Sequence, residues 1–221
     1  MFSGKALRPA LLCGSFLLSS CLAVLAQGGL PEAPYLVIKE PPNAKMMMLL
    51  GASTSEKALT ANFGAKNVKQ EKITLAEGEE RPGTVIYPDK PKWRATVVWK
   101  DQKKRDGAEL IIISDKPSSW HLSSGITTGT TLLELEKLNG KPFKFLGFDW
   151  DMGGNVVSWN GGKLEKELKS KSGKVSVGVQ LLPPAGKETP NGLSGDKEIS
   201  SSDARARKLN PVVDSLSILA P

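Results

Sequence analysis

Sulfur chemistry is almost absent from this sequence of 221 residues. It has two cysteines, Cys13 and Cys21, and both lie within the first 26 residues. If that segment is removed, thiol catalysis and cysteine-ligated zinc go with it. A mature chain without disulfides depends on its apolar core alone, even in an oxidising compartment. Histidine is nearly as scarce: His121 stands alone, so every Ser/His/acid arrangement would have to use it as the base. No apolar run reaches the roughly 20 residues of a spanning helix. No dense basic stretch is interleaved with aromatics, and the net charge of +7 is spread along the chain. Nucleic acid is therefore not an expected partner. No phosphate-cradling glycine loop with Lys and Ser/Thr is found.

The N-terminus carries a recognisable signal. Lys5 and Arg8 precede an uncharged apolar run from Leu11 to Leu25, and Val24-Leu25-Ala26 places small or β-branched residues at −3 and −1 of a cut before Gln27. This is the pattern of a cleavable export signal over residues 1–26. Processing between Ala26 and Gln27 leaves 195 residues and lowers the net charge to +5, because Lys5 and Arg8 leave with no acid. The expected location is periplasmic or secreted. An alternative lies in Leu18-Ser19-Ser20-Cys21, which resembles a lipobox; lipidation at Cys21 would make a membrane-anchored lipoprotein. The apolar run continues past Cys21 to Ala26, where a lipoprotein tether usually turns polar.

Residues 27–45 are rich in Pro and Gly around Tyr35-Leu36-Val37-Ile38 and read as an extended lead-in with one short strand. Met46–Leu50 is apolar, a buried turn or short strand. Ser53-Thr54-Ser55-Glu56 is an N-cap cluster, followed by Ala58, Leu59 and Phe63 at helical spacing and a stop at Gly64. The period then changes to two. Residues 68–75, 83–88, 93–99 and 109–114 predict four strands, and Lys100–Arg105 a hairpin turn. The order then restarts. Thr131 and Glu134 fit a capping box, Leu132, Leu135 and Leu138 follow at helical spacing, and Asn139-Gly140-Lys141-Pro142 ends the helix. Strands are predicted at 143–150, 155–160, 175–181 and 212–219. Residues 163–170 fit either a strand arm or a short helix, and 183–203 reads as a long polar loop.

Two similar units follow from this order, 46–118 and 119–221, in an α+β fold. Each is one helix followed by about four antiparallel strands. Superposing Gly64 on Gly140 matches Leu59 with Leu135, Thr54 with Thr130 and Ser55 with Thr131, an offset of 76 residues.

The segment Ile126-x-x-Gly129-x-Thr131, then Leu135, then Gly140-Lys141-Pro142, resembles a motif of one superfamily. That superfamily contains the β-lactamase inhibitor proteins and a small lipoprotein of the outer-membrane assembly machinery. The first half carries a degraded copy in Ser53, Ser55, Leu59 and Gly64, with Ser53 where the motif has Gly and no Pro after Gly64. The resemblance implies tandem helix-plus-sheet repeats and exported, non-catalytic proteins that bind other proteins. The inhibitors' disulfides have no counterpart here.

Candidate chemistry is thin. His121 sits beside Trp120 among Ser118, Ser119, Ser123 and Ser124, which reads as a polar loop without a nucleophile elbow. Asp149, Asp151 and Asn155 have calcium-loop spacing, but Gly153 and Asn160 stand where an EF-hand needs an oxygen side chain and a Glu. A Gly-Gly hairpin turn explains the same residues. Glu79-Glu80 and Glu134/Glu136 are the paired acids that a hydrolase could use. Trp120, Trp150 and Trp159 are candidate partner contacts, because Trp anchors interfaces. The alternative for each is core packing. No catalytic residue, metal ligand or cofactor is assigned. The expected function is binding or envelope assembly with another envelope or secreted protein. The alternatives are a small periplasmic hydrolase using His121 or acids and a lipid-anchored structural component.

Overall fold

A computed structural model describes residues 36–38, 47–49, 54–75, 78–170 and 174–220. The export segment, Cys21 and the Ala26/Gln27 junction lie outside the described residues. Two short strands come first, β1 (Leu36–Ile38) and β2 (Met47–Leu49). Helix α1 (Glu56–Phe63) follows, then a hairpin-connected series: β3 (Val68–Thr74), β4 (Glu80–Ile86), β5 (Ala95–Asp101) and β6 (Asp106–Ile113). The short β7 (Trp120–Leu122) leads to α2 (Leu132–Asn139), β8 (Lys144–Leu146), β9 (Val156–Ser158) and α3 (Lys163–Glu167). The chain ends with β10 (Ser176–Leu182), β11 (Glu198–Ser200), α4 (Ala204–Leu209) and β12 (Val212–Leu219). The fold is α+β, and its ladders are antiparallel.

A six-stranded sheet in the order β10-β12-β6-β5-β4-β3 forms the centre. Two three-stranded sheets, β2-β1-β7 and β11-β8-β9, accompany it. β12 pairs along β6, with Leu216 opposite Ile113 and Ile218 opposite Ile111, so strands from both halves share one sheet.

Helices α1 and α2 begin and end as their sequences dictate. In α1, Ser55 Oγ accepts from the Ala58 amide, and Leu59 and Phe63 turn inward. In α2, Thr131 and Glu134 form the reciprocal capping box, while Leu132 and Leu135 are buried. The helices correspond residue for residue at the offset of 76, and each capping residue bridges the first residue of a central strand, Ser55 to Asp106 and Thr131 to Val212. The strands beyond them are arranged differently. β3–β6 follow α1 as one continuous meander, whereas β8 and β9 join β11 in a separate sheet and only β10 and β12 reach the central one. Leu138 is partly exposed; the buried position at that end of α2 belongs to Asn139.

Gly140 ends α2 with φ 75° and ψ 2°, the left-handed conformation in which a β-branched side chain is strained. A Cβ there would meet nothing within 4 Å, so Gly140→Val should cost about 1–2 kcal/mol, chiefly from backbone strain. An unchanged denaturation midpoint would contradict this.

The core lies on one face of the central sheet. Val97, Trp99, Ile111, Leu216 and Ile218 face α1, α2 and the small sheets. Phe63 meets Tyr87 and Trp120 edge-on, at 5.7 and 6.1 Å between ring centroids. Each such side chain contributes roughly 2–3 kcal/mol by burial. The opposite face carries a smaller cluster of Ile73, Val85 and Val98, so β5 is apolar on both sides over part of its length.

One loop expectation is corrected, and the two alternatives for residues 163–170 resolve to the short helix α3. Residues 183–203 hold β11 and bury Leu193 and Ile199, anchored through pairing with β8. The segment after it forms α4, capped by the Asp203 carboxylate on the Arg205 and Ala206 amides.

Glu56 joins α1 to the sheet. Its carboxylate accepts from Thr84 Oγ1 at 2.7 Å and Gln70 Nε2 at 3.0 Å, and meets Arg105 Nε at 2.8 Å. Thr84 Oγ1 in turn accepts from Trp99 Nε1. Burial acts to raise the Glu56 pKa, but the bonds from Thr84, Arg105 and Gln70 outweigh it and hold the group below its ordinary value of 4.5. A depressed carboxylate stabilises the fold fully above its unfolded pKa, and that contribution disappears as pH falls through the folded pKa. Glu56→Gln should therefore cost about 1–3 kcal/mol at neutral pH. The gap to wild type should close below the ordinary carboxylate pKa. A gap independent of pH in denaturant titrations would refute the charged network.

Candidate functional site

The turn between β8 and β9 is the best-built surface feature. Beyond β8 the chain runs against the 190s loop: the Gly147 amide donates to Lys197 O, Phe148 N to Leu193 O, and Gly195 N to Phe148 O. Phe148 is driven into the core against Phe145, at 5.5 Å between centroids. Asp149 then takes φ 68°, and its carboxylate accepts from Thr189 Oγ1 at 3.2 Å and Ser194 Oγ at 2.7 Å. Trp150 Nε1 donates back to Gly147 O at 2.8 Å. Gly153 N bonds Trp150 O, and the Asn155 side-chain amide bonds Met152 O. On the other flank Gln180 Nε2 donates to Gly153 O, and the Leu181 amide to Gly154 O. Two neighbouring segments, the 189–197 loop and β10, thus hold the turn from either side. At its tip Met152 is 48 % exposed, and Trp150 is half-buried.

This geometry redistributes the tryptophan candidates. Trp120 is completely buried, with Nε1 donating to Trp93 O. Trp159 is 7 % exposed and packs at a tilt against Phe143, at 5.0 Å between ring centroids. Both are committed to the core, because inward-facing positions of β7 and the end of β9 point them there. Trp150 alone of the three retains surface. The calcium-spaced residues serve the turn: both Asp149 oxygens are engaged by hydroxyls, and Asn155 closes on Met152. Among the described residues no group of three or more His, Cys, Asp or Glu side chains is gathered as a metal would require.

His121 lies on β7, not in a polar loop. Its strand neighbours Trp120 and Leu122 point into the core, and His121 projects from the other side, half-buried, with Nδ1 3.4 Å from Ser119 O. The acids are used by the fold. Glu80 meets Lys72, Glu134 caps α2, and Glu136 holds Ser201 Oγ and Arg207. Beside α2 runs an open groove of about 770 Å³, bordered by Thr130, Glu134, Lys137, Leu138 and Lys163. It is shallow and contains neither His121 nor a convergent pair of acids.

Sequence reading missed Met152 and the hydroxyl partners Thr189 and Ser194. An exposed methionine has no periodic signature, and the two hydroxyls come from 40 and 45 residues away. Among the described residues no helix is long and apolar enough to cross a membrane. No family model, curated protein or solved structure matches this chain.

Proposed function

We propose that this is an exported, non-catalytic protein that binds another envelope or secreted protein, and that the turn at Trp150 and Met152 is the contact. The observation that carries the reading is the set of hydrogen bonds that ties that turn to its neighbours. A Trp and a Met on a turn bonded to two neighbouring segments lose little conformational freedom on binding. Trp is the residue type most enriched at interface hot spots, and Met adapts to apolar partners. The export pattern of residues 1–26 places such a protein where its partners are envelope or secreted proteins. The resemblance to the β-lactamase inhibitor and assembly-lipoprotein superfamily points the same way. With Asp149 and Glu134 occupied in holding a turn and a helix cap, the acids are poorly placed for hydrolysis. A hydrolase using His121 is the weaker reading.

Two measurements test it. Intact mass of the protein from its native envelope should begin at Gln27. A diacylated start at Cys21 would replace the free exported form with the anchored one. Chemical cross-linking in the same envelope should give a defined adduct that the double variant Trp150→Ala/Met152→Ser loses while keeping its melting temperature. An adduct that survives the double substitution would remove this turn from the contact.

A further inference from the structure

The two edges of the central sheet are built differently. At the β10 edge, Asn155 bridges Gln180 and Lys169 bridges Ser176. The Val177 and Leu181 amides donate outward to Leu168 O and Gly154 O, so neighbouring chain covers both ends of that strand. At the other edge, β3 runs for seven residues with no strand beside it among the described residues. Lys69, Gln70, Glu71 and Lys72 are all exposed.

The pairing phase shows which backbone groups are open. Tyr87 N donates to Asn67 O, and Leu75 N to Glu79 O. The odd-numbered residues of β3 are therefore the hydrogen-bonded partners of β4, and Gln70, Lys72 and Thr74 turn their N–H and C=O outward. Val68 offers only its carbonyl, because its amide already donates to Ala65 O. β3 contains no proline and no bulge, two of the devices that blunt an edge. Its charges are of mixed sign, and they discriminate between registers instead of repelling every partner.

We infer that β3 is a self-association edge, which pairs antiparallel with β3 of a second copy in a register centred on Gln70. A two-fold axis perpendicular to the sheet requires each register to centre on one residue. Centring on Lys69, Glu71 or Lys72 puts like charges directly opposite. Centring on Gln70 puts Lys69 of each copy opposite Glu71 of the other, in the close non-hydrogen-bonded positions where cross-strand pairs interact best. Gln70 then exchanges both backbone bonds with Gln70 of the second copy, and the Lys72 amide donates to the other copy's Val68 carbonyl. The product is a single sheet continuous through both molecules. Lys69 gives up only its long, exposed contact with Asp89, at 3.4 Å.

Sedimentation velocity of the full chain at low salt, over roughly 10 μM to 1 mM, should show reversible dimerisation. Lys69→Glu and Glu71→Lys each create like-charge pairs twice over and should weaken the dimer about tenfold or more. The double variant Lys69→Glu/Glu71→Lys restores opposite charges with the polarity reversed and should recover the dimer. All of these side chains are exposed, so thermal melts of the variants should match wild type and exclude misfolding as a cause. A chain that stays monomeric throughout overturns the inference. So do single variants that dimerise normally, and a double variant that stays dissociated.

Discussion

Gly154→Ala should unfold about 10 °C below wild type. Gly154 has φ 77°, and a Cβ there would lie 1.8 Å from the Leu181 carbonyl oxygen and 2.8 Å from its carbon. The obstacle is backbone, and it cannot swing aside as a side chain would. Moving it means breaking the Leu181 N–H bond to Gly154 O and shifting β10 at its bulge between Gln180 and Leu181. Backbone strain and overpacking together should cost about 3 kcal/mol or more. Gly186 supplies the control. It has the same φ of 77° with nothing within 4 Å, so Gly186→Ala carries the conformational cost alone, about 1 kcal/mol. Equal drops for the two variants would show that the close approach of Gly154 to β10 is wrong. Because Gly154 ends the Trp150–Met152 turn, Gly154→Ala should also loosen partner binding under the proposed function.

Asn139→Leu should destabilise by about 3 kcal/mol or more, although Asn139 sits at a helix end where sequence alone suggests only a stop. The residue is 1 % exposed. Its Nδ2 donates to Lys141 O and Trp159 O, both at 2.9 Å, and its Oδ1 accepts from Leu164 N at 3.2 Å. One amide thus satisfies three backbone groups from α2's exit, the end of β9 and the start of α3. Leucine fills similar volume but leaves those groups buried and unpaired. The Gly162 backbone presses on the same amide, and a Cβ at Gly162 would fall 2.2 Å from Oδ1. Gly162→Ala should therefore be costly by itself and much cheaper beside Asn139→Ala, which vacates the space. Additive losses in that cycle, measured by denaturant unfolding, would disprove the joint.

The resolution of sequence reading in this chain follows the range of the interactions concerned. Thr131 and Glu134 fixed the start of α2 because a capping box is complete within four residues. β12 was legible over its whole length, because Val213, Leu216 and Ile218 face one core. Helix α4 was missed although Asp203 before Ala-Arg-Ala-Arg-Lys-Leu is a cap followed by helix formers; the surrounding Ser, Gly and Pro gave the region a loop composition. His121 looked like a loop residue because β7 is only three residues long, too short for alternation to register. The candidate site was half legible: Asp149–Gly154 declared a turn, but not the groups that immobilise it.

Composition and local pattern alone determined the α+β class, the capped helices α1 and α2, most central strands and the confinement of cysteine to the first 26 residues. These depend on contacts between near neighbours or on periodicity along one strand. Tertiary structure decided that β10 and β12 continue the sheet begun by β3–β6 and that Trp120 and Trp159 are core while Trp150 is surface. It also decided that neighbouring chain covers both ends of β10 while, among the described residues, no strand lies beside β3. Those outcomes depend on which strand lies beside which, set by burial summed over the whole chain, and no short window of residues contains that sum.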